Sequence, residues 1–404
     1  MASNFPIHIE DYNYPLKAEK IADYPLENRE DSKLLILKNN KIQEDNFKNI
    51  SSYLPENSLM VFNNTKVIQA RMQFHKESGA AIEVFCLEAA EEKDIANALN
   101  STESQVWKCM LGNAKKWKNG PLQREIHIKD QVISLEIEKL QQEAQIFHIR
   151  FSWNNPSIRF GEIIEYFGET PLPPYIKRKA EASDKERYQC IYAKEKGSVA
   201  APTAGLHYTT SVLKNLTAKN IQTANLILHV SAGTFRPVKA TTIAEHSMHT
   251  EKISIERKLI KTIIEAKKAG KSIIAVGTTT LRSLESLYWH GVKILCGKAT
   301  AEIDIKQWEA YELPQNYSLE EAYSAILQNN SAEQISGQSQ LIIVPGYRIR
   351  SIDILNTNFH QPKSTLLLLV AAFIGDKWKN AYDYALKHDF RFLSYGDSCL
   401  FFKE

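Results

Sequence analysis

Between Gln69 and Asn155 the chain carries a series of short runs in which apolar and polar side chains alternate. The runs are AAIEVFCLEA, SQVWKCML, REIHIKD, QVISLEIEKL and AQIFHIRFSW. A period of two is typical of strands with one buried face, and this spacing favours a small antiparallel barrel. Strand and helix patterns follow each other on both sides of the block. We therefore predict an α/β, α+β-like large domain with a mixed sheet (residues 1–68 and 156–404) and an inserted small closed antiparallel β-barrel (residues 69–155).

The bulk composition is that of an ordinary soluble globular chain. The 404 residues suit two or three domains, and 43% of them are hydrophobic and 24% charged. The longest apolar run, Leu366–Ile374, is too short to span a bilayer. The first residues lack the basic region and apolar core of a signal peptide. We therefore expect a cytoplasmic protein without a membrane segment, and a monomer.

Cysteine usage and charge narrow the function classes only a little. The five cysteines include no CxxC pair, which suits a reducing compartment and argues against a cysteine-based zinc site. The 50 basic and 47 acidic residues give a formal net charge of +3. So small an excess neither supports nor excludes nucleic-acid binding, because local patches count more than the total.

The stretch Gly197–Thr209 (GSVAAPTAGLHYT) consists mainly of small side chains and has no Asp, Glu, Lys or Arg. Small residues let a ligand come close to the backbone. Thr203 and His207 supply hydrogen-bonding groups beside Gly205. We interpret the stretch as the wall of a close-fitting small-molecule pocket; the alternative is a buried loop between two core elements.

A second stretch, AVGTTTLRSLES, predicts a strand, a glycine turn and a helix start. Gly277 and Thr278 would stand at the helix N-terminus, which favours bound anions or hydroxyl groups. The same helix carries Arg282, which could hold a carboxylate as a bidentate pair. Arg282 and Glu285 are three residues apart, so a salt bridge along the helix is the simpler alternative.

Two basic clusters are candidates for contact with nucleic acid. In GNAKKWKNG, Trp117 stands among lysines that could hold phosphates while the ring stacks on a base. A solvated hairpin tip is the alternative. These lysines are Lys115, Lys116 and Lys118. Lys177, Arg178 and Lys179 form the second cluster, after the proline-rich segment PLPPYI.

The segment EHSMHTE brings His246, His249 and Glu251 within six residues. Imidazole and carboxylate are common metal ligands, so a His/Glu metal hydrolase is one alternative. The chain has no HExxH pattern, which weakens that alternative. We expect no resident metal ion.

The chain resembles a known family along most of residues 8–400. The matching motifs are FNNTKVIQARM, PLPPYIKR, GSVAAPTAGLHYT, LHVSAGTFRPV, EHSMHTE, AVGTTTLRSLES, NTNFHQPKSTLLLLVAAF and RFLSYGD. In this order they resemble the S-adenosylmethionine:tRNA ribosyltransferase-isomerase family of queuosine biosynthesis. The resemblance implies transfer of the ribosyl part of S-adenosylmethionine onto 7-aminomethyl-7-deazaguanine in the anticodon stem-loop of tRNA. Epoxyqueuosine forms, adenine and methionine leave, and S-adenosylmethionine is the co-substrate without a further cofactor.

The implied reaction needs a base, and a histidine suits that role near neutral pH. We expect His207 or His229 to be the base, and His246 or His249, with Glu251, to orient it or to act as acid. We expect the other matched residues to bind substrate. They are Thr203, Gly205, Gly233, Thr234, Phe235, Gly277, Thr278, Arg282, Glu285, Asn358, His360, Tyr395 and Asp397. The residues expected to contact tRNA are Lys66, Arg71, Lys115, Lys116, Lys118, Lys177, Arg178 and Lys363.

The chain departs from the family pattern at several positions. Asn64 stands where the family usually has Asp, Lys66 where it has Arg, and Gln361 where it has Leu. Residues 297–340 look like an extra segment within the large domain. These departures leave a second reading open, in which the chain is a diverged paralogue that binds tRNA or S-adenosylmethionine with lost or altered activity.

Overall fold

The computed structural model describes residues 7–92, 94–128, 130–231, 233, 238, 240–298 and 301–403. The strands are β1 (Lys33–Lys38), β2 (Lys41–Asn46), β3 (Leu59–Asn63), β4 (Thr65–Val67), β5 (Arg71–His75), β6 (Ala81–Ala89), β7 (Ser104–Gly112), β8 (Leu122–Ile128), β9 (Gln131–Glu143), β10 (Ile146–Trp153), β11 (Glu195–Ser198), β12 (Gln222–His229), β13 (Glu251–Glu256), β14 (Ile273–Val276), β15 (Ile303–Ile305), β16 (Gln334–Ser339), β17 (Ile354–Asn358) and β18 (Ser398–Phe402). The helices are α1 (Ile50–Tyr53), α2 (Ile95–Asn100), α3 (Phe160–Phe167), α4 (Asp184–Arg187), α5 (Thr210–Ala218), α6 (Arg257–Lys268), α7 (Thr278–Leu295), α8 (Leu319–Asn329), α9 (Thr365–Ile374) and α10 (Lys377–Lys387).

A large mixed sheet forms the body of the molecule. Its strand order is β15-β16-β13-β12-β3-β14-β17-β18-β1-β2. The central strands β12, β3, β14 and β17 run parallel, and β13 and β18 join them antiparallel. The predicted mixed α/β architecture is therefore confirmed.

The central strands are buried on both faces, which explains their near-continuous apolar sequences. In β3, Leu59 and Val61 belong to the core on one face, while Met60 and Phe62 belong to the core on the other. Helix α7 is buried from Thr278 to Lys293 and packs on the first of these faces. The start of α7 is thereby fixed at the carboxyl ends of the parallel strands.

A second sheet is antiparallel throughout and nearly closed. Its order is β5-β6-β7-β10-β9-β8, and Arg124 Nη1 on β8 donates to the Gln73 carbonyl on β5 at 2.6 Å. Large apolar side chains, among them Phe74, Trp107 and Phe151, fill its interior. These strands follow β4 and precede α3 in the chain, in the block where alternation predicted them.

The suggestion that the Trp117 ring stacks on a nucleic-acid base requires an exposed side chain, and the structure contradicts it. The ring is fully buried, and its Nε1 donates to the Gly120 carbonyl at 2.8 Å. Lys139 from β9 lies 5.1 Å from the ring centroid. Trp117 therefore closes the interior of the small sheet, because its indole is more stable against that apolar core than in water.

The polar segment 297–340 contains regular structure. Helix α8 lies in it and begins with a capping box between Ser318 and Glu321. Strand β16 pairs with β13, and β15 pairs with β16 at the edge of the large sheet. Within the described ranges, no helix combines the length and the apolar character needed to cross a bilayer.

Candidate active site

A cavity opens at the carboxyl ends of the parallel strands. In sheets of this kind, ligands bind at that edge. The lining comes from residues 201–204, Val230, 277–279, 357–361 and 393–394, with Tyr175, Ser364 and Leu366. Separate segments singled out in the sequence thus meet at one cavity. Thr203, Gly277, Thr278, Asn358 and His360 are the predicted substrate residues that line it.

His207 lies behind this cavity. Its Nδ1 is 2.8 Å from Ser32 Oγ, and its Nε2 is 3.1 Å from Asn358 Nδ2. Burial lowers the pKa of His207 to about 3, so the ring is neutral at physiological pH. Both ring nitrogens have hydrogen-bond partners inside the protein, an arrangement that does not favour the expected role of His207 as base.

The directions of the two hydrogen bonds of the His207 ring follow from the hydrogen bond that Ser32 donates. Ser32 Oγ donates to the Arg29 carbonyl at 3.3 Å, so its oxygen accepts from His207 Nδ1. His207 Nε2 then accepts from the Asn358 amide nitrogen. The Asn358 side-chain oxygen is left for the cavity, and it has no hydrogen-bond partner within the described chain. Ser32 carried no signal for this role in the sequence beyond its place before a strand.

His360 lines the cavity, but its Nε2 is held 2.9 Å from Thr357 Oγ1. Burial lowers the pKa of His360 to about 3. Its backbone is fixed as well, because its N–H donates to Tyr382 Oη at 3.0 Å. His360 therefore presents a neutral ring in a fixed position.

His229 ends β12, one residue before Val230 of the cavity wall. Its Nδ1 is 3.0 Å from Thr65 Oγ1, and Thr65 Oγ1 donates to the Glu195 carbonyl at 3.4 Å. This pattern places the imidazole proton on Nδ1 and the lone pair on Nε2. Burial and the charge of Lys252 lower the pKa of His229 to about 4. A β-carbon at Gly197 would lie 2.9 Å from His229 Cε1, so this site requires glycine for the close approach.

His249, Glu251 and Arg282 form a polar cluster at the start of β13, in which Glu251 and Arg282 are buried and His249 is partly exposed. His249 Nε2 is 3.1 Å from Glu251 Oε1, and Arg282 pairs with the other carboxylate oxygen. Burial lowers the pKa of Arg282 to about 10, so the guanidinium stays charged at neutral pH. A β-carbon at Gly233 would lie 2.8 Å from His249 Nδ1. His246 stands near the cluster, and burial and His249 lower its pKa.

The family model described as "Queuosine biosynthesis protein" matches residues 9–401. The chain belongs to that family. A relative from Thermosipho melanesiensis is 36% identical over 397 residues, which are 98% of this chain and 99% of the relative. One from Halothermothrix orenii is 37% identical over 397 residues, covering 97% and 99%. Both are named S-adenosylmethionine:tRNA ribosyltransferase-isomerase. The solved S-adenosylmethionine tRNA ribosyltransferase of Thermotoga maritima is 27% identical, covers 97% of this chain and 99% of its own, and gives a TM-score of 0.46.

Three predicted substrate residues lie away from the cavity. Glu285 is fully buried and accepts from Tyr347 Oη and from the Ser351 backbone and hydroxyl at 2.6–2.7 Å. Tyr395 donates to Asp184 at 2.8 Å. Asp397 accepts the backbone N–H groups of Lys33 and Arg391. Their polar groups are used inside the fold, which corrects the expectation that they bind substrate.

The remaining predicted substrate residues are placed as follows. Gly205 is packed against Tyr192, where a β-carbon would lie 1.9 Å from Tyr192 Oη. Arg282 is taken up by Glu251, neither by Glu285 nor by an open site. Thr234 and Phe235 lie outside the described residues. Thr279 was not predicted individually, although it belongs to the hydroxyl run after Gly277; it lines the cavity, and its Oγ1 has no partner within the described chain.

The predicted tRNA residues divide into free and engaged side chains. Lys115, Lys116, Lys118 and Lys177 are exposed. Three others have partners in the fold: Arg71 pairs with Glu83 at 2.8 Å, Arg178 with Asp184 at 2.6 Å, and Lys363 with Glu10. Asp184 raises the pKa of Arg178. The Arg178 pair is largely buried, which corrects the expectation that this residue contacts tRNA.

Lys66 lines a second cavity together with Lys185 and Lys196. Lys196 and Lys185 lie 2.7 and 3.9 Å from Glu165. Lys196 and then the other two lysines lower the pKa of Glu165. Three lysines around one carboxylate leave this cavity with a local excess of positive charge.

No set of three or more His, Cys, Asp and Glu side chains in the described ranges is arranged to hold a metal ion. The histidine and glutamate that suggested one, His249 and Glu251, are joined to Arg282 instead. A guanidinium beside the carboxylate takes the place that a cation would need. The metal-hydrolase alternative therefore has no support from this cluster.

Proposed function

We propose that this chain is an S-adenosylmethionine:tRNA ribosyltransferase-isomerase. It would transfer and isomerise the ribosyl group of S-adenosylmethionine onto 7-aminomethyl-7-deazaguanine in tRNA, with release of adenine and methionine. One observation carries the proposal: six of the eight segments that bear the family motifs line a single cavity at the carboxyl ends of the parallel strands. Full-length relatives that bear this name support it.

We assign the base to His229. The proton to be removed lies on the carbon next to the sulfonium, and its acceptor must be a neutral group with a free lone pair. The hydrogen bond to Thr65 leaves His229 Nε2 in that state, and burial keeps the ring neutral at physiological pH. A base with a lowered pKa is weak, but it is fully unprotonated under working conditions.

The cluster of His249, Glu251 and Arg282 has a different role in this scheme. Glu251 is held by Arg282 and accepts from the imidazole of His249. A carboxylate in that position stabilises a protonated imidazole. We assign His249 to protonation or hydrogen bonding of the leaving adenine, with Glu251 as its orienting partner.

We assign tRNA binding to two basic surfaces. Lys115, Lys116 and Lys118 are exposed on the turn between β7 and β8. Lys66, with Lys185 and Lys196, lines the second cavity. Lysines at both places would contact phosphates of the anticodon stem-loop, whose negative charge dominates nucleic-acid affinity.

Two finer statements belong to the same proposal. We propose that residues 69–155 form a closed barrel inserted as a domain into the large domain; the contact from Arg124 to Gln73 supports closure. We also propose a cytoplasmic location, since the implied substrates are tRNA and S-adenosylmethionine.

The deciding experiment measures adenine release from S-adenosylmethionine by the purified chain. We expect release only with tRNA that carries 7-aminomethyl-7-deazaguanine, and none with matched tRNA that carries guanine at the wobble position. Tight tRNA binding without adenine release would favour the diverged binding paralogue. Loss of release on addition of a chelator would favour metal chemistry.

A further inference from the structure

Helix α7 begins at the cavity, and no side chain caps its N-terminus. Gly277 at its N-cap has φ of 90° and gives no side-chain cap. Thr278 and Thr279, the first two helical residues, are 6% and 7% exposed. The first N–H groups of a helix have no partner within the helix, and buried ones need a partner from elsewhere.

Two buried side-chain atoms at the same cavity also lack a partner within the described chain. They are Thr279 Oγ1 and Asn358 Oδ1, and Asn358 is 2% exposed. The bond from Asn358 Nδ2 to His207 fixes which end of the amide faces the cavity. A buried polar atom without a partner is costly, so both atoms point to a polar ligand group.

The charge of the wall narrows the ligand class. The described lining residues include no Lys, Arg, Asp or Glu, and burial keeps His360 neutral because its pKa is about 3. The positive end of α7 is then the feature that favours an anion. Without lysine or arginine the site suits a single carboxylate better than a phosphate group. An acceptor such as Asn358 Oδ1 suits a donor beside that carboxylate.

These groups together match a zwitterionic α-amino acid. We propose that the cavity binds the methionine end of S-adenosylmethionine, with the carboxylate at the N-terminus of α7 and Thr279 Oγ1, and the ammonium on Asn358 Oδ1. The inference rests on the proposed function, since it assigns one half of that co-substrate. Arg282, one turn later on α7, is already paired with Glu251 and leaves the carboxylate to the helix N-terminus.

The test compares binding of three ligands to the full chain by calorimetry. They are S-adenosylmethionine, its decarboxylated analogue and 5′-methylthioadenosine, which lacks the amino-acid end. We expect each loss of a charged group to weaken binding about 10- to 100-fold. Thr279→Val should weaken S-adenosylmethionine by about 10-fold or more and leave 5′-methylthioadenosine unchanged. Asn358→Leu should behave in the same way.

Thr280→Val is the matched control. Thr280 is the next residue of α7, but its hydroxyl donates to the Val276 carbonyl at 2.7 Å and it does not line the cavity. The Thr280→Val variant should bind all three ligands with wild-type affinity. Equal losses for S-adenosylmethionine and 5′-methylthioadenosine in Thr279→Val would overturn the inference and assign the cavity to adenine. Equal wild-type affinity for all three ligands would also overturn it. Failure of the wild-type chain to bind any of them would contradict the proposed function itself.

Discussion

His207 and Asn358 are joined by a hydrogen bond of 3.1 Å between imidazole Nε2 and amide Nδ2. Through this bond His207, which the sequence suggested as a base, holds the Asn358 amide so that its oxygen is an acceptor in the cavity wall. His207 is held from the other side by Ser32. The residue that contacts the ligand in our proposal is therefore Asn358, and His207 acts through it.

A positioning role predicts that glutamine can replace His207. The Gln side chain can offer an oxygen acceptor near the place of Nε2, so His207→Gln should keep kcat/KM within about tenfold of wild type. His207→Leu removes the acceptor and should raise KM for S-adenosylmethionine about 10- to 100-fold, with a smaller change in kcat. Steady-state adenine release checks both values. A loss of about 10²–10⁴ in kcat in both variants would instead identify His207 as the base.

The pH dependence of kcat/KM tests His229. A base must be neutral, so activity is lost as pH falls through its pKa. Burial lowers that pKa to about 4, and we therefore expect a level profile from pH 7.5 to about 5.5 and a decline only below it. His229→Ala should remove the decline along with about 10²–10⁴ of the rate. An acid limb near pH 6.5 that persists in this variant would assign the base elsewhere.

Local patterns in the sequence predicted where strands and helices form, but they did not predict which of these elements pair with each other. Alternation predicted five of the six strands of the small sheet, β6 to β10. The residues from Ser254 to Ala269 have the apolar period of one helix, but Ser254–Glu256 continue β13 and the helix begins at Arg257. That strand is fixed by pairing with β12 and β16, and such distant partners leave no mark in the local period.

The same limit applies to single side chains. Glu285 stands beside Arg282 on the helix, yet its partners come from Tyr347 and Ser351 on a later segment. Trp117 stands among lysines, yet it is buried in the small sheet. Residue type and spacing predict what a group can do. Segments that are distant in the chain determine whether a side chain such as Glu285 or Trp117 contacts a ligand in the site or packs in the core.

The Glu251–Arg282 pair predicts a large stability effect when only one partner is changed. Both side chains are almost fully buried, so Glu251→Gln leaves a charged guanidinium without its carboxylate. We expect a loss of about 3–5 kcal/mol in the free energy of unfolding, measured by denaturant titration. Glu251→Leu combined with Arg282→Met removes both charges and should recover much of that loss. If the double variant loses as much stability as Glu251→Leu and Arg282→Met lose in sum when each is made alone, the two residues are not coupled.

The lysines of the turn between β7 and β8 are predicted to contribute affinity for tRNA through phosphate charge alone. Replacing Lys115, Lys116 and Lys118 by Ala should weaken binding and flatten the plot of log K against log salt by about two to three units, because each of three phosphate contacts releases about 0.7 to 0.9 of a counterion. The matched control replaces three exposed lysines of α6, namely Lys258, Lys261 and Lys268. Its salt slope should equal that of the wild type. An unchanged slope in the first variant would assign this turn to solvent exposure alone. Equal flattening in both variants would mean that the total charge of the chain governs binding, with no local surface involved.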